Sequence, residues 1–284
     1  MKAIHKFFIT IAVIITLIVG AVVGGYFYVK QTYGIDLIKT ASELITLSKP
    51  VEEQTLCTNA WKTEDVQSAQ TEINNSVENY VTFTEQGGYS VNFSALPTEM
   101  KRLIKLNDKQ VGALAHVILQ QEMKGEIEIG GQVIKGDIIQ IDFSDVKDGG
   151  ALVSTTYKVD VSSIKEQMTG FPFNLIQNLV PTNFYVTSTV RVTKGEPFEY
   201  TVTHSALSIN YLSGEETEDL LSTLNVVLKL GTAKEFNEIL GNKLIGTLVG
   251  GETQKGVATS LKPIGAKDYE FIVENGVEYY TITL

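Results

Sequence analysis

The sequence predicts an α+β protein: an N-terminal transmembrane helix followed by an exported domain in which a long-stranded antiparallel sheet packs on amphipathic helices. Three observations lead to this prediction. Residues 7–29 form an apolar run without a charge, segments in the middle of the chain alternate between apolar and polar side chains, and other segments space apolar residues as a helix does. Long period-two alternation is typical of antiparallel strands with one covered face.

The apolar run is long enough to cross a membrane. At about 1.5 Å per residue its roughly 23 residues span about 35 Å, more than a ~30 Å hydrocarbon core. Lys2 and Lys6 precede the run, which predicts a cytoplasmic N-terminus and a C-terminal domain outside the cell membrane. The length favours an uncleaved anchor, and the alternative is a signal peptide cleaved near the small residues Val19-Gly20-Ala21.

A membrane-proximal helical region follows the anchor. Residues 36–47 have apolar residues at helical spacing, and Pro50 ends that helix. Residues 62–79 are polar and helix-permissive, as expected of a surface helix or a stalk. The predicted organisation is therefore a cytoplasmic tip and anchor over 1–30, a helical stalk or membrane-proximal segment over 31–79, and an extracytoplasmic α+β domain over 80–284.

Local signals place the first elements of that domain. Residues 80–84 and 89–93 flank Gln86-Gly87-Gly88, which predicts a hairpin. Asn107 with Gln110 forms a capping-box pattern at the start of a helix predicted over 108–121. That helix has one apolar stripe: Val111, Leu114, Ala115, Ile118 and Leu119.

The middle of the chain is mostly strand. Residues 153–161, 184–192 and 198–211 alternate, and the apolar parity of the last segment shifts around Ala206-Leu207, which predicts a β-bulge. A turn over 194–197 joins the last two strands.

Two helices and a hairpin complete the domain. Helices are predicted over 216–230 and 232–248, separated by Gly231 as a C-cap, and the second begins with the capping-box pair Thr232 and Glu235. With the helix over 108–121 they are expected to cover one face of the sheet. Asn275-Gly276 predicts a C-terminal hairpin.

Composition excludes some functions. The formal charge of −10 becomes about −13 without Lys2, Lys6 and Lys30, and this excess repels phosphate backbones. Nucleic acid is therefore not an expected partner. Cys57 is the one cysteine, so no internal disulfide forms and packing must stabilise about 250 residues.

Short motifs favour structural roles over catalytic or metal-binding ones. Ser162-x-x-Lys165 matches the nucleophile pair of penicillin-binding serine enzymes, but the companion motifs of that family are missing, and Ser162 or Ser163 is interpreted as a helix cap. Asp142, Asp145 and Asp148 lack calcium-loop spacing and indicate a solvated acidic turn. The sequence predicts no catalytic residue, no metal site and no cofactor. The remaining residues considered for chemistry, each interpreted as structural or surface, are His116, His204 and Cys57.

One arrangement resembles a known group. Three features together resemble the YpmS-like group of bacterial membrane-anchored proteins of unknown function. They are a membrane anchor, the segment Leu106-Asn107-Asp108-Lys109-Gln110, and a strand that opens with Pro181-Thr182-Asn183-Phe184-Tyr185-Val186 and is followed by a paired strand to Tyr211. The arrangement is also similar in outline to tubular lipid-binding domains, in which long twisted strands wrap a helix around an apolar groove. The resemblance covers residues 106–250 and identifies no functional residues.

These observations predict a non-catalytic, membrane-anchored extracytoplasmic envelope protein with a scaffold or partner-binding role. One alternative is the binding of lipid or another apolar ligand in a groove between sheet and helices, and a second is a cell-wall-directed enzyme. A groove and a filled core need the same alternation of side chains, so both stay open. The groove residues that we predict are Val111, Leu114, Ile118, Tyr157, Val186, Tyr200, Leu224 and Phe236.

Overall fold

The computed structural model describes residues 30, 36–77, 81–84, 88–91, 103–129, 132–160, 162, 181–228, 232–251 and 256–284. The predicted membrane anchor over 7–29 lies outside these residues. Within the described ranges, no helix combines the length and apolar character needed to span a membrane. The described fold is α+β, with antiparallel sheets and several helices, as predicted.

The described helices are α1 (Leu37–Leu47), α2 (Glu53–Leu56), α3 (Thr63–Val77), α4 (Asp108–Met123), α5 (Gly214–Leu228), α6 (Ala233–Leu248) and α7 (Val257–Ser260), with a 3-10 turn at Lys262–Ile264. The described strands are β1 (Val81–Thr84), β2 (Gly88–Val91), β3 (Leu103–Leu106), β4 (Glu126–Ile129), β5 (Gln132–Lys147), β6 (Gly150–Asp160), β7 (Asn183–Lys194), β8 (Tyr200–Ile209), β9 (Asp268–Glu274) and β10 (Val277–Thr283).

The largest sheet is an antiparallel meander in the order β4-β5-β6-β7-β8. Strand β7 pairs Thr189 with Ala206 and Val190 with His204, so Ser205 is an extra residue on β8. This irregularity confirms the bulge predicted from the parity shift. It also lets β8 keep its apolar side chains on the covered face on both sides of the bulge.

A second sheet brings the two ends of the domain together. Its order is β3-β10-β9, and β3 pairs antiparallel with β10, so that Leu106 lies opposite Tyr280. The hairpin between β9 and β10 turns at Asn275 and Gly276, both with positive φ, as a type I′ turn requires. The predicted C-terminal hairpin is thus confirmed. The N-terminal hairpin is also present, since β1 pairs antiparallel with β2.

Helices α4 and α6 begin with the predicted capping boxes. The Asn107 side chain accepts from Gln110 N at 3.0 Å, and Gln110 Oε1 accepts from Asn107 N at 2.9 Å. Thr232 and Glu235 exchange the same two hydrogen bonds at 3.1 and 2.9 Å. Each box satisfies backbone donors that a helix start otherwise leaves free, which fixes where the two helices begin.

These helices and both larger sheets share one hydrophobic core. Tyr157 on β6 lies inside it and donates from its hydroxyl to the carbonyl oxygen of Leu240 at 3.1 Å. Tyr280 on β10 likewise donates to the carbonyl oxygen of Leu248 at 3.0 Å. Both hydroxyls therefore have a partner at full burial, which joins the two sheets to α6.

The segment between residues 36 and 77 packs on this core. Leu44 and Leu47 of α1, and Ala69 and Ile73 of α3, are buried members of the same cluster. Within the polar stretch over 62–79, which the sequence indicates as a surface helix or a stalk, α3 forms over Thr63–Val77, and Val66, Ala69 and Ile73 face the domain.

Strand β5 is not among the strands predicted from the sequence. Asp142 and Asp145 were expected in a solvated acidic turn, yet both lie within β5, and the turn itself is formed by Asp148 and Gly149 with positive φ. Asp142 is stabilised there because Asn59 donates to its carboxylate at 2.8 Å. This part of the prediction was wrong.

Candidate functional site

Seven of the eight predicted groove residues lie in or against the packed interior. Val111, Leu114, Ile118, Tyr157 and Val186 are buried members of the hydrophobic core. Tyr200 and Phe236 are partly buried and pack against it. Leu224 lies on α5, and its side chain is outside the described part of the structure. The structure thus brings seven of the eight residues to one core, and an open groove among them stays a prediction.

A polar cavity of about 300 Å³ opens elsewhere, where α4 ends beside the edge of the large sheet. It is bordered by the end of α4, the first half of β5, the end of β6 and the beginning of β7. Its lining residues are Gln120, Lys124, Gly125, Lys135, Gly136, Asp137, Lys158, Asp160 and Asn183. None of them is among the site residues predicted from the sequence.

The carboxylates of this cavity already have partners. Gln120 Nε2 donates to Asp137 Oδ1 at 2.8 Å. Asp160 accepts from the amide and the hydroxyl of Ser162 at 2.8 and 2.5 Å, and these bonds lower the pKa of Asp160. Lys135 lies opposite Glu126 on one neighbouring strand and Asp160 on the other. The cavity lining therefore carries three lysines and two aspartates, and it offers amide and carboxylate hydrogen bonds.

Lys158 also belongs to an ion-paired cluster beside the cavity. Its ammonium lies 2.9 Å from Glu53 Oε2, which also accepts from the Tyr185 hydroxyl at 2.6 Å. The hydrogen bond from Tyr185, followed by that from Lys158, lowers the pKa of Glu53, and the bond to Glu53 raises the pKa of Lys158. Both groups stay charged at neutral pH, and the cluster holds α2 against the sheet.

His204 connects the edge strand β8 to two helices. Its Nδ1 accepts from Asn237 Nδ2 at 2.8 Å, because that amide nitrogen can only donate, and its Nε2 lies 3.1 Å from Glu218 Oε1. The amide of Asn237 also donates to the carbonyl oxygen of Thr189 at 2.8 Å. The imidazole therefore occupies a structural position between α5 and α6.

The other residues considered for chemistry are also in structural positions. The His116 ring lies 4.8 Å from the Trp61 ring between centroids, and burial lowers the pKa of His116. Burial raises the pKa of the Cys57 thiol to about 11, which keeps it protonated and unreactive. Ser162, just after β6, donates from its amide and its hydroxyl to Asp160 Oδ1, whereas its predicted partner Lys165 lies outside the described residues. In the part of the chain that the structure describes, no group of three or more His, Cys, Asp or Glu side chains could hold a metal ion.

Comparison with known proteins identifies no relative: no family model matches the chain, and neither the curated proteins nor the solved structures contain a match. The cavity is therefore known only from its geometry. Lys158 and Asp160 occupy polar positions of an alternating strand, and Gln120 lies on the polar side of α4. Nothing in their spacing indicates that they converge, because only the packing of α4 on the sheet brings them together.

Proposed function

We propose that the chain is a membrane-anchored extracytoplasmic protein whose domain has a non-catalytic scaffold or partner-binding role in the cell envelope. The observation that carries this proposal is the charge-free apolar run over 7–29 behind Lys2 and Lys6. The remaining chain would then fold outside the membrane. The resemblance to the YpmS-like group, which stays a prediction, agrees with this placement.

The arrangement of the titratable groups supports a non-catalytic role. Glu53 interacts with Lys158 and Tyr185, and His204 interacts with Asn237 and Glu218. Each of these two groups holds one element of the fold against another. A general acid or base needs a free position within hydrogen-bond reach of a substrate. These side chains instead use their hydrogen bonds within the fold.

Burial of the predicted groove residues favours a scaffold over an apolar-ligand carrier. Tyr157 is enclosed and bonded to the backbone of α6, and Val111, Leu114 and Ile118 pack within the same core. Native mass spectrometry of the full chain, purified from a lipid-containing host, tests this choice. A mass without bound lipid is expected, whereas a stoichiometric lipid that survives removal of the detergent would favour the groove.

The membrane topology can be tested with single cysteines. In a Cys57→Ser background, Glu196→Cys places a thiol in the exposed turn between β7 and β8, and Ala3→Cys places one before the apolar run. A membrane-impermeant maleimide is then added to intact spheroplasts. We expect labelling of Glu196→Cys in intact spheroplasts and of Ala3→Cys only after lysis. The reverse pattern contradicts the proposal, and a chain released into the medium without its N-terminus supports the cleaved-signal alternative.

A further inference from the structure

Helix α1 has an apolar side chain at each end of its outward face. Its inward face is buried through Thr40, Glu43, Leu44 and Leu47. On the other side, Ile38 is 69% exposed and Ile45 63% exposed, and these are the two most exposed large apolar side chains among the described residues. Seven residues are about two helical turns, so both isoleucines point the same way, roughly 10 Å apart. Ser42, also exposed, lies between them.

The orientation of α1 on the domain is fixed. Leu44 and Leu47 are in the hydrophobic core, and Asn210 Nδ2 donates to the carbonyl oxygen of Leu47 at 2.8 Å. Lys39 forms an ion pair with Asp219 of α5. The isoleucines cannot turn inward without removing the leucines from the core, so their exposure is built into the fold.

The position of α1 in the chain brings this face close to a membrane. Only residues 30–36 separate the apolar run over 7–29 from Leu37. Seven residues reach at most about 25 Å when fully extended. If the run spans the bilayer, α1 begins within that distance of the point where the chain leaves the hydrocarbon core, which includes the headgroup region.

We infer that the outward face of α1 lies in the headgroup region of the bilayer and holds the domain against the membrane surface. The inference rests on the anchor of the proposed function and adds a second contact with lipid. It assigns Ile38 and Ile45 as the side chains that enter the interface. Single exposed apolar residues are common on soluble proteins, whereas two on one fixed face near the proposed anchor give that face the apolar character by which interfacial helices bind lipid.

The contact is apolar rather than electrostatic. Near this face, Lys30 Nζ pairs with Asp36 Oδ2 at 2.8 Å, and Lys39 pairs with Asp219, so these cations are already neutralised within the protein. The whole chain carries a formal charge of −10, which disfavours anionic lipid. The surface that α1 fits is therefore zwitterionic, and the contact should persist at high salt.

Spin labelling in proteoliposomes tests the inference on the full chain. In a Cys57→Ser background, a nitroxide at Ser42→Cys reports on the face between the two isoleucines, and one at Glu196→Cys serves as a reference in water. The protein is reconstituted in phosphatidylcholine, and the collision rates with oxygen and with a water-soluble nickel complex are compared. We expect the oxygen-to-nickel ratio to be several-fold higher at Ser42 than at Glu196, at both low and high salt.

A matched pair of variants identifies the side chains responsible. Ile38→Ser with Ile45→Ser should lower the ratio at the Ser42 label to that of the reference. The control pair is Val273→Ser with Val277→Ser, which changes two exposed apolar residues of the β9–β10 hairpin, 53% and 45% exposed. This pair should leave the ratio at the Ser42 label unchanged. The assignment of the isoleucines is overturned if the ratio at the Ser42 label falls with both pairs of variants or with neither pair.

Flotation on a density gradient separates failure of the inference from failure of the anchor. A chain that does not float with vesicles after carbonate washing has no anchor, and the proposed function fails together with the inference. A chain that floats while the Ser42 label stays exposed to nickel keeps the anchor and overturns the inference alone.

Discussion

Asp108 is the residue whose ionisation opposes the fold most clearly. It is the first residue of α4 and is partly buried. Burial, and to a smaller extent the charge of Asp142, raises the pKa of Asp108 to about 6. The folded state therefore holds this proton at pH values where an unfolded aspartate, with a pKa of about 3.9, has lost it.

Asp108→Asn should stabilise the protein above pH 6. Between about pH 4 and 6 the folded state binds more protons than the unfolded state, so the free energy of unfolding falls as pH rises, and the loss remains at higher pH. A shift of two units corresponds to at most about 3 kcal/mol, so we expect Asn to gain about 1–2 kcal/mol at pH 7.5 and little at pH 4. Urea unfolding at both pH values measures this difference.

The control for this prediction is Asp145→Asn. Hydrogen bonds from Lys147 and Arg191 lower the pKa of Asp145, so its ionised form favours the fold and its loss should give no gain at pH 7.5. An equal gain from Asp108→Asn at pH 4 and pH 7.5 would show that packing, rather than ionisation, is responsible.

At the scale of elements, Gly241 sets how closely α6 approaches the sheet. A Cβ atom added at Gly241 would lie 2.7 Å from Val190 Cγ1 and 2.9 Å from Val202 Cγ1, closer than carbon atoms pack. Helix propensity alone predicts that alanine gains about 1 kcal/mol at an interior glycine. The steric contact with β7 and β8 therefore opposes the gain in helix propensity. Whether Gly241→Ala raises or lowers the free energy of unfolding shows which of the two is larger.

We expect Gly241→Ala to lower the free energy of unfolding by about 1 kcal/mol, since overpacking typically costs about 1–3 kcal/mol and propensity offsets part of that. Gly251→Ala, at a glycine with no atom within 4 Å of the added Cβ, should change it by less than about 0.5 kcal/mol. Thermal unfolding of the two variants beside the wild type makes the comparison. Stabilisation by Gly241→Ala would mean that α6 can move away from the sheet.

Elements defined by interactions between residues close in sequence were predictable. Elements that depend on irregular pairing or on pairing between distant segments were not. The capping boxes at Asn107 and Thr232 and the Asn275-Gly276 turn form within four residues, so their signal is local. Strand β5 was missed because its register shifts between Ile138 and Gln140 and again between Ser144 and Lys147, which breaks the period-two pattern. The pairing of β3 with β10 joins distant parts of the chain and leaves no local pattern.

At the scale of the whole molecule, the site was less predictable than the fold. The groove residues were chosen for their apolar periodicity, and that periodicity placed five of them in the core. The polar cavity depends on Gln120, Lys158 and Asn183 meeting from three elements. Alternation shows which face of a strand is covered, but not which helix covers it or where a space remains.

The core also extends across the boundary at residue 79 that the sequence predicts. Trp61 Nε1 donates to the carbonyl oxygen of Ile138 at 2.6 Å, and the Trp61 ring contacts the Gly112 position of α4. Ala69 and Ile73 of α3 are fully buried, and Leu44 and Leu47 of α1 are nearly so. Burial of one large apolar side chain contributes about 1.5–3 kcal/mol, and a whole domain is stable by only about 5–15 kcal/mol.

A chain that begins at residue 36 should therefore fold cooperatively, and one that begins at residue 80 should not. We expect residues 36–284 to give a sharp urea transition with an ordered near-UV spectrum. Residues 80–284, without α1 and α3, should bind a dye for exposed apolar surface and lose that transition. Trp61→Phe in the longer chain removes the hydrogen bond to Ile138 and part of the ring packing, and it should lower the midpoint while keeping the transition sharp. Equal midpoints for the two lengths would show that residues 36–79 cover the core without stabilising it, and would support the predicted boundary.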